Sequence, residues 1–210
     1  TTSPETASLV ALMLDVGGKE EATLLGFGRK VPAWHAGYVN GAMANCQDYS
    51  DLHPKAAHIS SPVVPAALAM AERLRNVSGK ALITAVALGV DLQCRLTLAS
   101  ARPGGKLPPW HPAPVFGVFS AALACARLLD LTEDQTVNAL QKVGETYFQQ
   151  GKYDESRVVL SHVRPMLTAA DDMKRSLYYT AMTYALQNAL EPGAAAYEEF
   201  SLRYMRRILA

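Results

Sequence analysis

Proline and glycine punctuate the first part of this chain so densely that only separated segments of it can be regular. Ten of the twelve prolines precede residue 115, and eleven of the fourteen glycines precede residue 118. Between these breaks the apolar residues recur every three or four positions, and no run alternates with the two-residue period of a strand. The spacing predicts an all-α fold, with helices joined by Pro/Gly-rich loops.

Individual helices follow from local signals. Ser60-Ser61-Pro62 has the order of a helix start, cap residues before a first-turn proline. Val63, Ala67, Leu68, Ala71 and Leu74 then share one face, opposite Glu72, Arg73 and Arg75. A second helix is expected from about Lys80 to Ala99, apolar nearly all round as a central core helix would be. Its most apolar run, residues 81–90, falls well short of the ~20 residues that cross a bilayer. The stretch SARPGGKLPPWHPAP is broken too often to be regular. VFGVFSAALACARLLD then forms a third helix, in which Gly117, Ala121 and Ala124 permit a close neighbour. Thr132 with Gln135 resembles a capping box that opens the next one.

Composition narrows the functional classes. With 210 residues, half of them hydrophobic, the chain can bury a sizeable core. A net charge of +1 offers no footprint for nucleic acid or an anionic membrane, and neither is expected as a partner. Cys46, Cys94 and Cys125 are odd in number and far apart, which argues against a disulfide framework and for a reducing compartment. The first residues lack a basic segment, and Asp15 breaks their apolar stretch, so no signal peptide is expected. A cytoplasmic location is expected, or the mitochondrial matrix if a transit segment has been removed.

A compositional seam lies near residue 141. Seven of the nine tyrosines come after residue 146. VGETYFQQGKYDESRVVL, with Gly144 and Gly151, resembles a tetratricopeptide repeat, and a fainter echo follows around Pro192-Gly193. Two segments are therefore expected, 1–140 and 141–210, the second as tetratricopeptide-like hairpins.

The chemistry concentrates in NCQDYSDLHPKAAHISSPVVP, residues 45–65, where Asp48, Asp51, His53 and His58 fall within eleven positions. His35, His53, His58 and His111 are all read as loop histidines, and His53 and His111 are stiffened by a following proline. Imidazole moves protons near neutral pH and, when protonated, binds carboxylates. No metal is expected, because no HExxH or comparable spacing fixes these side chains as ligands. Gly17-Gly18-Lys19 and Gly26-Phe27-Gly28 lack phosphate-loop spacing, no strand reads before them, and no organic cofactor is expected.

NGAMANCQDYSDLHPKAAHISSPVVPAALAMAE and WHPAPVFGVFSAALACARLLDLTEDQTVNAL together resemble the MmgE/PrpD family of 2-methylcitrate dehydratases and cis-aconitate decarboxylases. The corresponding family patterns are NG-xxx-HALDFDDTH…HP-x-x-PVLPAALA-x-AE and FHPT-x-x-x-G-x-F-x-AA-x-AA-x-LLGL. The resemblance implies a helical domain, metal-free lyase chemistry on small tri- or dicarboxylates, and a homodimer. By position it makes Asp48, His58 and His111 catalytic and places His53 at the substrate. Ser50 stands in place of an acid and Leu52 in place of a threonine, so the loop is expected to have lost two polar groups.

The motif resemblance covers about residues 1–140 and ends near Gln141, short of the family's downstream lysine and histidine positions. An incomplete lyase-type domain, weak or inactive alone, is the first expectation. A helical interaction module that takes a peptide or protein at the C-terminal hairpins is the second. A chimaera without an evolved function is the third.

Overall fold

A computed structural model describes residues 3–54, 57–100 and 111–149. The chain divides into two compact units, Thr1–Leu131 and Thr132–Ala210. The first contains helices α1 (Pro4–Val16), α2 (Ala33–Asn45), α3 (Ser60–Leu74), α4 (Gly79–Ala99) and α5 (Pro112–Leu128). The all-α expectation holds, with two small hairpins added: β1 (Ala22–Leu24) with β2 (Arg29–Val31), and β3 (Leu52–His53) with β4 (Ala57–His58).

The first hairpin corrects the reading of Gly26-Phe27-Gly28. A strand does precede it, but it forms the reversal between β1 and β2 rather than a turn into a helix. Gly26 and Gly28 take φ of 81° and 62°, a region open to glycine without a Cβ penalty. Three residues per strand are too few to show alternation in sequence. The hairpin is fixed by side chains from helices. Asn40 accepts from the Leu25 N–H at 3.0 Å and donates to the Thr23 carbonyl at 2.9 Å. Glu72 accepts from the Thr23 N–H at 3.1 Å and from its hydroxyl at 2.7 Å. Glu72, assigned above to the solvent face, therefore faces the hairpin.

Helix α3, and not α4, is the central helix. It buries Ser61, Val63, Pro65, Ala67 and Ala69, a broader surface than one stripe, because it is packed on two sides. Ala69 joins Val10, Leu24, Val31, Ala36 and Val39 in one core cluster. Val63 and Ala67 join Ala85 of α4 and Ala124 of α5 in another. Helix α4 buries only Ala85, Gly89, Gln93, Leu96 and Thr97, and leaves Ile83, Leu88 and Leu98 exposed. At 21 residues and a mean hydropathy of 1.5 it is long and apolar enough to cross a membrane by length and composition, unlike the short run expected. Asp91 and Arg95 pair on it at 2.6 Å.

Two glycines set how closely these helices approach. A Cβ on Gly117 of α5 would lie 2.7 Å from the Pro62 ring carbons of α3. A Cβ on Gly89 of α4 would lie 2.6 Å from Val63 Cγ1 and 2.7 Å from the backbone oxygen of Ser120. The close neighbour anticipated at Gly117 is thus the first turn of α3.

Helix ends are capped partly at long range. Ser3 and Ser78 cap α1 and α4 locally, accepting from Thr6 and Ala81. Ile59 occupies the N-cap of α3 and offers no acceptor, so Ser60 and Ser61 are not its caps. The Asp51 carboxylate takes that role, accepting from the Ser60 N–H at 3.2 Å and from its hydroxyl. At α2 the N-cap is Pro32, and Glu21 accepts from the Ala33 N–H at 3.2 Å.

In the second unit α6 (Glu133–Gln149) opens with the expected capping box. The Thr132 N–H donates to Gln135 at 3.0 Å, and the Gln135 N–H donates to the Thr132 hydroxyl at 3.3 Å. Buried Gln141 and half-exposed Lys142 both donate to Glu145, at 2.8 and 2.9 Å. The helix runs unbroken through residue 141. The proposed hairpins around Gly151 and Pro192-Gly193 lie outside the described residues.

Gly89→Ala tests the packing. Alanine gains about 1 kcal/mol of helix propensity, but collision with a backbone oxygen costs about 1–3 kcal/mol. A net loss of stability is expected, read as a lower urea midpoint at unchanged slope, and a higher midpoint would contradict the close approach.

Glu21 supplies a pH test. The Ala33 N–H, aided by Arg73 and Lys19 and opposed by burial, holds its carboxyl below the ordinary 4.5. Its contribution is complete above the ordinary value and is lost as pH falls through the lowered one. Melting temperature should fall with acidification below pH 4.5 less steeply in Glu21→Gln than in the parent protein.

Candidate functional site

The site is built on the loop between α2 and α3 and on the start of α5. Asp48 lies three residues past the end of α2 and adopts φ of 56°, the left-handed region that residues other than glycine, asparagine and aspartate rarely occupy. Its N–H donates to the Asn45 carbonyl at 3.1 Å, which closes the turn. That backbone turn aims the carboxylate at the second hairpin. Asp48 Oδ1 lies 3.3 Å from Nε2 of His58, with Asp48 largely exposed and His58 largely covered.

His58 sits on β4, directly opposite Leu52 on β3. Its other ring nitrogen, Nδ1, lies 2.7 Å from the Ser50 hydroxyl. Ser50 is therefore a polar partner of the histidine, and the expectation that the loop loses a polar group there is corrected. His111 occupies the N-cap position of α5, with extended backbone before Pro112 as a pre-proline residue prefers. Its exposed ring stacks on that of His58, centroids 5.7 Å apart and planes 20° from parallel. Asp48, His58 and His111 are thus brought together from three separate elements.

His53 is placed differently. In the β3–β4 ladder it pairs with Ala57, while His58 pairs with Leu52, so the two histidines point to opposite faces. His35 is not a loop residue at all. It lies on α2, 1% exposed, and both of its ring nitrogens are buried with no hydrogen-bond partner among the described residues.

Gln93 is the residue that sequence reading overlooked. It is fully buried on α4, and its Nε2 donates to the Ala113 carbonyl at 3.3 Å and approaches the His58 carbonyl at 3.5 Å. One amide thus bridges the strand that carries His58 and the first turn of the helix that carries His111. Both neighbours of that nitrogen are carbonyls, which fixes the orientation of the amide. Its Oε1 is buried and has no partner among the described residues, a state that costs about 1–3 kcal/mol. The available signal was an amide at the third position of the otherwise small stripe Ala85, Gly89, Gln93.

The arrangement suits proton transfer and anion binding. Imidazole can move protons near neutral pH, and a protonated ring facing solvent attracts a carboxylate. Among the described residues no group of three or more His, Cys, Asp or Glu is placed to hold a metal ion. The three cysteines form no disulfide, and burial pushes the Cys125 thiol up to about 11, so it stays protonated at neutral pH.

Comparison with known proteins identifies a matching domain family. The MmgE/PrpD N-terminal domain matches residues 1–185. Cis-aconitate decarboxylase of Homo sapiens is 32% identical over 115 residues, 53% of this chain and 24% of that protein. Cis-aconitate decarboxylase of Aspergillus terreus is 31% identical over 122 residues, 56% of this chain and 25% of that protein. The chain spans about a quarter of the length of these curated relatives. The domain match runs 45 residues past the expected end at 140, straight across the seam, and gives no support to a tetratricopeptide segment, a truncation or a chimaera.

Backbone strain at Asp48 predicts an ordering of variants. Asp48→Ala keeps a Cβ at positive φ and loses the polar tolerance of aspartate, whereas Asp48→Gly removes the steric cost. The glycine variant should exceed the alanine variant in stability by about 1 kcal/mol, read from chemical unfolding. Equal stabilities would mean that the turn is not left-handed.

Proposed function

The chain belongs to the MmgE/PrpD family, and from that membership we propose that its loop site binds a small di- or tricarboxylate and transfers a proton at a carbon beside a carboxyl group. The observation that carries this reading is the stacked pair His58 and His111 with Asp48 at one edge. The relatives named above are cis-aconitate decarboxylases, which makes cis-aconitate the substrate to try first.

Breaking a carbon–carboxylate bond releases CO2 and leaves an electron pair on carbon, and that carbon must take a proton. Removing a proton next to a carboxylate develops the same kind of charge. Either step is helped by an imidazolium that first pairs with a substrate carboxylate and then supplies or receives the proton. His111, exposed at the start of α5, is the ring positioned to meet the substrate. His58, backed by Asp48, supplies the face on which His111 stacks. The N-terminal end of α5 adds a favourable dipole for a bound anion.

The second hairpin closes the loop on this side of the site, and Asp51 anchors its exit to the start of α3. Loop and helix therefore hold the two histidines in one arrangement before a ligand arrives. Such preorganisation spares the cost of ordering them during the reaction.

The test is turnover of cis-aconitate by the purified protein, followed by the ultraviolet absorbance of the unsaturated substrate and product. Removal of a general acid or base typically costs about 10²–10⁴-fold in rate, and a loss of that size is expected for His111→Ala. Absence of turnover by the parent protein, together with unchanged carboxylate binding in His111→Ala, would remove the lyase reading.

A further inference from the structure

The loop holds His58 at both ring nitrogens, and the two partners differ in kind. Asp48 at Nε2, 3.3 Å away, is a carboxylate and can only accept. A neutral imidazole carries one proton, so with that proton on Nε2 the Nδ1 atom has a lone pair and needs a donor. Ser50 supplies a rotatable O–H 2.7 Å from Nδ1. A second carboxylate at that place would instead require a proton on each nitrogen and would hold His58 as a cation.

We propose that Ser50 is a positioning residue of this site: Asp48 keeps the proton of neutral His58 on Nε2, and the Ser50 hydroxyl donates to Nδ1 and so fixes the plane on which His111 stacks. The consequence for chemistry rests on the lyase reading above. With both of its nitrogens engaged by the chain, His58 is not the ring that meets the substrate. A neutral His58 also leaves the stacked His111 free to carry the proton, because two imidazolium rings 5.7 Å apart would repel. Asp48 and Ser50 together thereby divide the labour between two otherwise similar histidines. Gln93 contributes from α4 by fixing the backbone on either side of the stack.

The test is long-range nitrogen–proton correlation of the imidazole rings in protein labelled with 15N-histidine, without substrate. Histidine 58 is identified by the signals lost in a His58→Gln control. In the parent protein at a pH where His58 is neutral, a single Nε2–H tautomer is expected. Ser50→Ala removes the donor to Nδ1 while Asp48 keeps the proton on Nε2, so the Nδ1 resonance should move toward that of a nitrogen without a hydrogen bond; Ser50→Thr should restore the parent shift, and Ser50→Asp should place a proton on each nitrogen. An Nδ1–H form in the parent protein, or an unchanged Nδ1 resonance in Ser50→Ala, overturns the proposal. Circular dichroism of each variant establishes that it is folded, and Ser50→Thr decides the matter should Ser50→Ala unfold, since a threonine variant without the parent Nδ1 resonance also overturns it. Turnover is read separately. A locked tautomer in a protein that leaves cis-aconitate untouched sinks the lyase reading and leaves the role of Ser50 standing.

Discussion

The first unit depends on how closely α3, α4 and α5 can approach. Gly117 gives the Pro62 ring its place against α5, and Gly89 lets α4 lie on both Val63 and the backbone of Ser120. Pro62 begins four residues after His58, and Gly117 lies six residues after His111. A glycine contact therefore sets the distance between two loops, and that distance sets the stack of two histidines. Close packing transmits such shifts because interiors have little free volume to absorb them. Core and site are in this sense one structure.

Polar groups finish what packing begins. The small hairpins could not stand alone, since two-stranded ribbons are marginal in water. Asn40 and Glu72 give the first hairpin its partners, while Asp51 caps α3 from the loop and so ties down the second. Gln93 is the most telling case. A leucine of similar volume would fill the same space without burying an oxygen that has no partner among the described residues, but it could not donate to two backbone carbonyls. The cost of Oε1 is accepted for a bridge between the two histidine-bearing segments. Asp48 follows the same pattern, with backbone strain retained at the one position where the carboxylate must turn toward His58.

Much of this was legible in the residues. The helices at 60–74 and 79–99, the capping box at Thr132 and Gln135, the glycine seat at Gly117 and the convergence of Asp48, His58 and His111 all follow signals confined to a few neighbouring positions or to a recognisable motif pair. What escaped was non-local. Neither three-residue strand has enough length to show a period. Glu72 looks like a solvent-facing residue until the hairpin arrives above it. His35 reads as a loop histidine because Pro32 precedes it closely, although that proline stands at the start of a helix. The tetratricopeptide pattern after Gly144 rests on spacings that any amphipathic helical segment supplies, whereas the family match continues through it to residue 185.

The sequence by itself determined that the chain is helical, where most of its helices begin, which family it belongs to and which three side chains to watch. These are matters of period, punctuation and motif, all written along the chain. Only the tertiary structure decided that α3 rather than α4 is central, that His53 faces away from His58, and that Ser50 and Gln93 hold the histidines. The physical reason is that burial and hydrogen-bond partnership are properties of pairs of residues. Gln93 stands 35 positions from His58 and 20 from Ala113, and no local pattern encodes which carbonyls its amide will meet.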